Sequence, residues 1–309
     1  SITKLVVSGA GSMSVQNTTG NMLVGVATTP NENSASNADV DLRNLTGGFT
    51  FSTGAAGTGQ LRIGTDTTTG STTGVNPGNF LRLSNTTNTI TADIINIGDN
   101  VHAIDNTLQL GTGINNINAD TINVAGISGV GRRGNGTIQF TAPGGVGTTT
   151  FRAQDGAAAG ALNIGVNSAN TAAAITGLVD LTGHNINANF TTVQLGVNAN
   201  SGATTYTHTL NFDSGTMNIS TLLRIGRKTS TGGATQVNTV NLGGGTVTIA
   251  SIDMAAHTST AGTAQATLNV TGGNVTVTGG ITVASASAAG GTGTGTINLN
   301  GGTLAVTGN

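Results

Sequence analysis

The sequence predicts an all-β, single-domain, three-sided parallel β-helix (a β-solenoid) with coils of about 28–31 residues and no capping helix. Three observations carry this prediction. Short triplets alternate apolar, polar, apolar, the period of a strand with one buried face. Gly-rich pairs separate the triplets at nearly constant intervals, as corners require. The whole set then repeats: Leu210-Asn-Phe212, Val240-Asn-Leu242, Leu268-Asn-Val270 and Ile297-Asn-Leu299 start 30, 28 and 29 residues apart.

Each of these first triplets is followed seven residues later by a second: Met217–Ile219, Val247–Ile249, Val275–Val277 and Leu304–Val306. A third follows in three of the four copies, as Leu223-Arg-Ile225, Ile252-Asp-Met254 and Ile281-Thr-Val283. Three strands and three corners make one coil, and parallel coils stack about 4.8 Å apart. The third triplet is often followed by Gly. LRIG occurs at 61–64 and 223–226, INIG at 95–98, LQLG at 108–111, LNIG at 162–165, VQLG at 193–196 and MLVG at 22–25. We read all of these as third strands, which gives ten or eleven coils and one continuous solenoid over residues 1–309. Residues 161–309 read as regular coils. Residues 1–160 read as irregular coils with insertions at 27–39, 65–79 and 129–150, segments rich in Gly, Thr, Asn and Pro. Leu5-Val-Val7, Met13-Ser-Val15 and Met22-Leu-Val24 form one complete coil at the start. Gly, Thr, Asn and Val are poor helix formers, so no helix is expected.

Composition narrows the function classes. Charged residues are only 7% of the chain, with a net charge of −2, and hydrophobic residues are 36%, which excludes the disordered signature of high charge and low hydrophobicity. The ten basic residues are scattered, which argues against nucleic acid, whose phosphates need clustered Lys and Arg. No apolar run is long enough for a membrane-spanning helix. A surface with so little charge has little to keep copies apart. Because the chain begins at Ser1, it reads as a processed, secreted form.

The strings LNVTGGNVTVTGGITV (268–283) and INLNGGTLAVTG (297–308) resemble the autotransporter-associated β-strand repeat of large secreted bacterial surface proteins. The pattern covers residues 210–309 well and residues 1–209 loosely. The resemblance implies an extracellular or cell-surface right-handed β-helix of structural or adhesive role. It brings no catalytic residues.

Chemical sites were weighed against this background. Glycoside hydrolysis needs paired carboxylates, and only Asp39 and Asp41 are close in sequence; we read them as a solvated loop edge. Gly183-His184-Asn185, with Asp180 nearby, echoes a polysaccharide-lyase-like motif faintly. His102, His184, His208 and His257 lack metal-ligand spacing, and a calcium ion at Asp99 or Asp105 has no supporting nonapeptide. No phosphate loop or nucleophilic triad is present. We therefore expect no catalytic, cofactor or metal residues and no enzymatic activity. Arg62 and Arg224 occupy the same LRIG position in different coils, a place for edge-protecting charge or a contact between rods. Without Trp and with Tyr206 as the one Tyr, a glycan partner bound by stacking has little support.

Neither end reads as a cap. Leu5–Val15 is on pattern almost at once, and INLNGGTLAVTGN stops after a second strand. The expectation is a secreted structural protein that joins itself head to tail, as a filament or surface layer, through Ile2, Leu5, Val7, Met13 and Val15 at one end and Ile297, Leu299, Leu304 and Val306 at the other. The rival expectations are an adhesin-type passenger that displays its loops to a host or glycan surface, and, further behind, a polysaccharide-active enzyme. A fragment cut from a longer array would present the same two ends.

Overall fold

The computed structural model describes residues 3–27, 37–66, 78–99, 105–126, 134–166, 175–198, 205–229, 232–258, 260–286 and 290–308. Among these residues there is no helix. All paired strands are parallel, and they form a ten-stranded and a fifteen-stranded sheet. The ten-stranded sheet is the first face of the solenoid. Its strands run in chain order: Thr3–Val6, Ala38–Asp41, Asn79–Arg82, Asp105–Leu110, Asn135–Phe140, Thr176–Asp180, Thr205–Phe212, Thr235–Leu242, Thr263–Val270 and Thr292–Leu299. Each begins a coil, numbered here 1 to 10. Ten coils stack to roughly 45 Å at the usual interstrand spacing.

The fifteen-stranded sheet is the second and third faces joined. In coils 3, 4, 6 and 7 a single strand (Thr87–Asp99, Ile114–Val124, Asn185–Asn198 and Gly215–Lys228) turns the corner between them without a break. In coils 8 and 9 the two faces are separate strands, Thr246–Ile249 then Ile252–His257, and Asn274–Val277 then Ile281–Val283.

One register runs the length of the first face. Leu5 pairs with Val40, then Leu81, Leu108, Ile138, Val179, Leu210, Val240, Leu268 and Ile297. Sequence spacing along this column corrects the expected coil length. From Val179 onward successive members are 28–31 residues apart, but Val40 to Leu81 and Ile138 to Val179 each take 41 and Leu81 to Leu108 takes 27. The change from irregular to regular thus falls near Val179 rather than at residue 160. Two further assignments are corrected. Leu108-Gln-Leu110 is a first-face strand, paired to Leu81 and Ile138, and not a third-face marker. The supposed excursion at 129–150 contains the first-face strand Asn135–Phe140.

The core is continuous from Val24 to Val277. It is aliphatic with aromatic layers: Phe49, Phe51, Phe151, Phe190 and Phe212 are buried, and Phe151 and Phe190 meet at 5.8 Å between centroids. The Gly that follows the third triplet has a physical cause. Every coil from 1 to 9 leaves the third face through one left-handed residue: Gly25, Gly64, Gly98, Ala125, Gly165, Gly196, Gly226, Ala255 and Ala284, with φ between 53° and 84°. Only Gly takes that conformation without a steric cost.

Candidate assembly site

The polar middle residue of each triplet points outward and stacks on its equivalent in the next coil. On the third face this column reads Leu23, Arg62, Asn96, Asn123, Asn163, Gln194, Arg224, Asp253, Thr282. Its amides hand hydrogen bonds from coil to coil: Asn123 Nδ2 donates to Asn96 Oδ1 at 2.8 Å, Asn163 to Asn123 at 2.9 Å and Gln194 to Asn163 at 3.2 Å. Arg224 then donates to Gln194 at 3.0 Å and to Asp253 at 3.0 Å. Arg224 is therefore a link in an intramolecular ladder, not a spare charge. A second ladder runs up the first face toward the last coil, with Asn241 on Asn211 at 2.8 Å, Asn269 on Asn241 at 2.7 Å and Asn298 on Asn269 at 2.7 Å. Repeated amide bonds of this kind reinforce one another and tie neighbouring coils.

The ladders and the core stop together at the end coils. Strands of coils 1 and 10 pair on one side only. The apolar column that is 0% exposed at Leu81, Leu108 and Leu268 reaches 49% at Leu5 and 36% at Ile297, and its neighbour Leu299 reaches 53%. Val306 is 48% exposed. Val7, Met13, Val15 and Leu304 are half-buried against the core. Ile2 lies outside the described residues. Eight of the nine proposed interface residues thus lie on two opposite edges, at the two ends of the rod.

The two edges differ in charge. At the N-terminal end Lys4 Nζ lies 3.5 Å from Asp39 and 3.6 Å from Asp41, Arg82 Nε donates to Asp39 at 2.8 Å, and Arg43 clamps Asp41 with bonds of 2.9 and 2.7 Å. The Arg43 hydrogen bonds hold the Asp41 carboxyl at about 2, below the usual carboxylate range. Asp39 and Asp41 are buried by this cluster rather than solvated, which corrects the loop-edge reading; their oxygens are already engaged. Toward the other end, residues 254–309 contain no charged residue.

The remaining candidates are placed as follows. His184 is 2% exposed, stacked on Phe140 at 3.6 Å and 10°, and its Nε2 donates to the Ala142 carbonyl at 2.9 Å. It pins the 141–147 corner rather than facing solvent. Asp180 borders a cleft of about 140 Å³ with Gln139, Phe140 and Thr182, and its Oδ1 is taken by the Thr182 backbone and hydroxyl. Asp105 Oδ1 accepts from Asn135 Nδ2 at 2.9 Å. His102, Arg132 and Arg133 lie outside the described residues, as do the Asp99 side chain and most of 65–79. Among the described residues no group of three or more His, Asp or Glu is placed to hold a metal ion, and no helix is long and apolar enough to cross a membrane.

Sequence reasoning missed the buried polar residues. Asn79 Nδ2 donates to Asn106 Oδ1 at 2.9 Å, and Asn88 to Asn115 at 2.9 Å, all four wholly buried. Gln154 reaches from coil 5 to coil 2, its Nε2 within 3.0 Å of Thr53 Oγ1, 2.8 Å of the Gly54 carbonyl and 2.7 Å of the Gly57 carbonyl. Alternation carried backward from each apolar triplet would have found the first-face members, since inward positions recur every second residue. Nothing in the sequence signals the Gln154 clasp.

Comparison with known proteins returns no match: no family model, no curated protein and no solved structure matches the chain. The resemblance to the autotransporter-associated repeat rests on the residues alone.

Proposed function

We propose that the chain is a secreted structural β-solenoid whose copies join end to end, the first coil of one stacking on the last coil of the next. The observation that carries this reading is the pair of open edges: single-sided strands over an exposed apolar column at both ends of an otherwise closed rod. Unpaired strand edges recruit further strands, and an edge that meets a different edge on the next copy propagates without closing. Continued in register, Leu5 and Val7 of one copy lie over Ile297 and Leu299 of another, which extends both apolar columns. The N-terminal charges sit on the outside of the first face, where they leave the strand edge free. Extracellular placement rests on the repeat resemblance and on the small charge of the surface.

Negative-stain microscopy and sedimentation of the purified chain test the proposal. Unbranched rods that lengthen with concentration are expected. Leu5→Lys and Leu299→Lys, at opposite edges, should each stop growth while leaving the circular dichroism of the coils unchanged. Discrete monomers at all concentrations overturn the reading and assign the edges to flanking coils or a cap. Loss of growth in only one of the two variants overturns the head-to-tail register.

A further inference from the structure

Three basic side chains lie inside the corner that leads from the third face to the first. His208 and Lys228 belong to coil 7 and His257 to coil 8, and they are 2%, 0% and 0% exposed. His208 Nδ1 donates to Asn238 Oδ1 at 2.9 Å, and Asn238 Nδ2 donates to the Gln265 carbonyl at 3.1 Å, which fixes the amide with its oxygen toward the ring. The other ring nitrogen faces backbone: a β-carbon on Gly165 would stand 1.9 Å from it. The ring has an acceptor for one proton and close-packed chain where a second would go. Burial accordingly holds the His208 pKa at about 4, although the Asn238 bond pulls it upward.

His257 and Lys228 are register partners on adjacent coils. Neither nitrogen of the buried His257 ring makes a hydrogen bond, and the ring is wedged against Gly291. Burial lowers the Lys228 pKa. The other inward groups here, Tyr206, Gln236, Asn238, Ala264 and Ala266, carry no charge at neutral pH. Arg227 precedes Lys228 on the same strand and adds positive charge. The carboxylates of coils 7 to 9 among the described residues are Asp213 and Asp253, and both act elsewhere: Asp213 accepts from the Gly183 amide and Asp253 from Arg224. The packed strands of coils 6, 9 and 10 bring no acidic residue to this corner.

We propose that this buried basic corner is an acid-sensitive latch. Proton uptake by His208 and His257 adds positive charge to a closed space that already holds Lys228, and coils 7 to 9 open locally while the N-terminal coils remain folded. The proposal does not depend on end-to-end assembly. For His208 alone, with an unfolded value near 6.5, the closed-to-open ratio falls roughly 20-fold between pH 7 and pH 5.

Neighbouring coils supply the test residues. Asn238 stands at the His208 register in the next coil and Ala286 bridges to His257, so His208→Asn with His257→Ala keeps side chains the fold already accepts in these columns. Hydrogen exchange, corrected for intrinsic rates, is measured at pH 7 and pH 5. The wild-type chain should lose at least 20-fold of its protection in 205–258 and little in 38–152, and the double variant should show no such difference. Equal loss in both segments, or persistence of the loss in the double variant, overturns the latch. If the double variant does not fold, the His208 ring resonances of the wild type decide. They should remain those of a neutral imidazole for as long as the segment is protected. A ring that titrates near pH 6.5 with protection intact overturns the proposal.

Discussion

Between Lys4 and Arg82, three cations and two carboxylates interlock on the first face, whereas from Met254 to the end of the chain there is no charged residue. The same contrast holds in coil length, which is uneven up to Val179 and 28–31 residues beyond it. Equal coils bring like over like, so one bond, amide on amide, repeats from Asn211 to Asn298. Unequal coils break that repetition, and the N-terminal half is fastened by bonds that occur once: the Arg43 clamp, the Asn79–Asn106 pair and the Gln154 clasp. The difference teaches that regularity and specific fastening substitute for one another along a single register.

The left-handed corner is where the contrast breaks most sharply. In several coils the corner residue packs on a first-face residue two coils ahead, and one member of the pair is always glycine. Gly25 meets Asn79, Gly64 meets Asn106, Gly165 meets His208 and Gly196 meets Asn238, while Ala125 meets Gly177. Gly196→Ala adds a β-carbon 1.9 Å from Asn238 Oδ1 at a φ of 59°. Steric strain and overpacking together predict a loss of about 2–4 kcal/mol in chemical unfolding. Adding Asn238→Gly recreates the Ala125–Gly177 arrangement and should recover part of the loss, a coupling visible in a double-mutant cycle. Additive losses would show that the pairing rule is incidental. At Ala255, where φ is 53° without such a neighbour, replacement by Gly should stay within about 1 kcal/mol of wild type.

The repeat made the fold legible because apolar positions carry their own period. A triplet, however, looks the same on any face. Leu108-Gln-Leu110 was placed on the third face because Gly111 follows it, yet only its distance to the next triplets, Ile117 and Ile122, tells which face it occupies. The outward ladders were legible in outline as the Asn, Gln or Arg between paired apolar residues. The inward polar column was not. Tyr206, His208, Leu210 and Phe212 alternate perfectly, but the first two do not look like core residues, and their burial depends on the small residues opposite. Ion pairs such as Arg82–Asp39 join residues 43 positions apart and follow from the coil register, which no local pattern contains. Of the assembly site, the edge positions were legible and their unequal charge was present in composition, though its confinement to one end becomes meaningful only once the ends are separated in space.

A smaller effect is expected at the Gln154 clasp, which holds an irregular half together across two intervening coils. Gln154→Ala removes the amide from three oxygens, Thr53 Oγ1 among them buried. The loss should be about 1–3 kcal/mol, and hydrogen exchange should place it in 53–59 and 153–159 with coils 7 to 10 unaffected. A loss spread evenly over the rod would mean that the two halves unfold as one unit, and the comparison between them would then concern bonding alone.

The smallest effect concerns the charges themselves. Asp41 is held at about 2, chiefly by its hydrogen bonds with Arg43. A carboxylate whose folded pKa is depressed contributes stability that is complete above its unfolded value, near 3.9, and lost as pH falls toward 2. Arg43 is partly exposed, so solvent screening limits the contribution to about 1 kcal/mol. Arg43→Ala should therefore lower stability by that amount at pH 7, less in high salt, and should flatten the decline between pH 4 and pH 2. That window lies below the one proposed for His208, so the two halves of the rod lose stability in different pH ranges. A chain in which Arg43→Ala instead alters the response between pH 7 and pH 5 would show that the N-terminal cluster and the histidine corner are coupled through the stack, and that the irregular coils do not insulate one from the other.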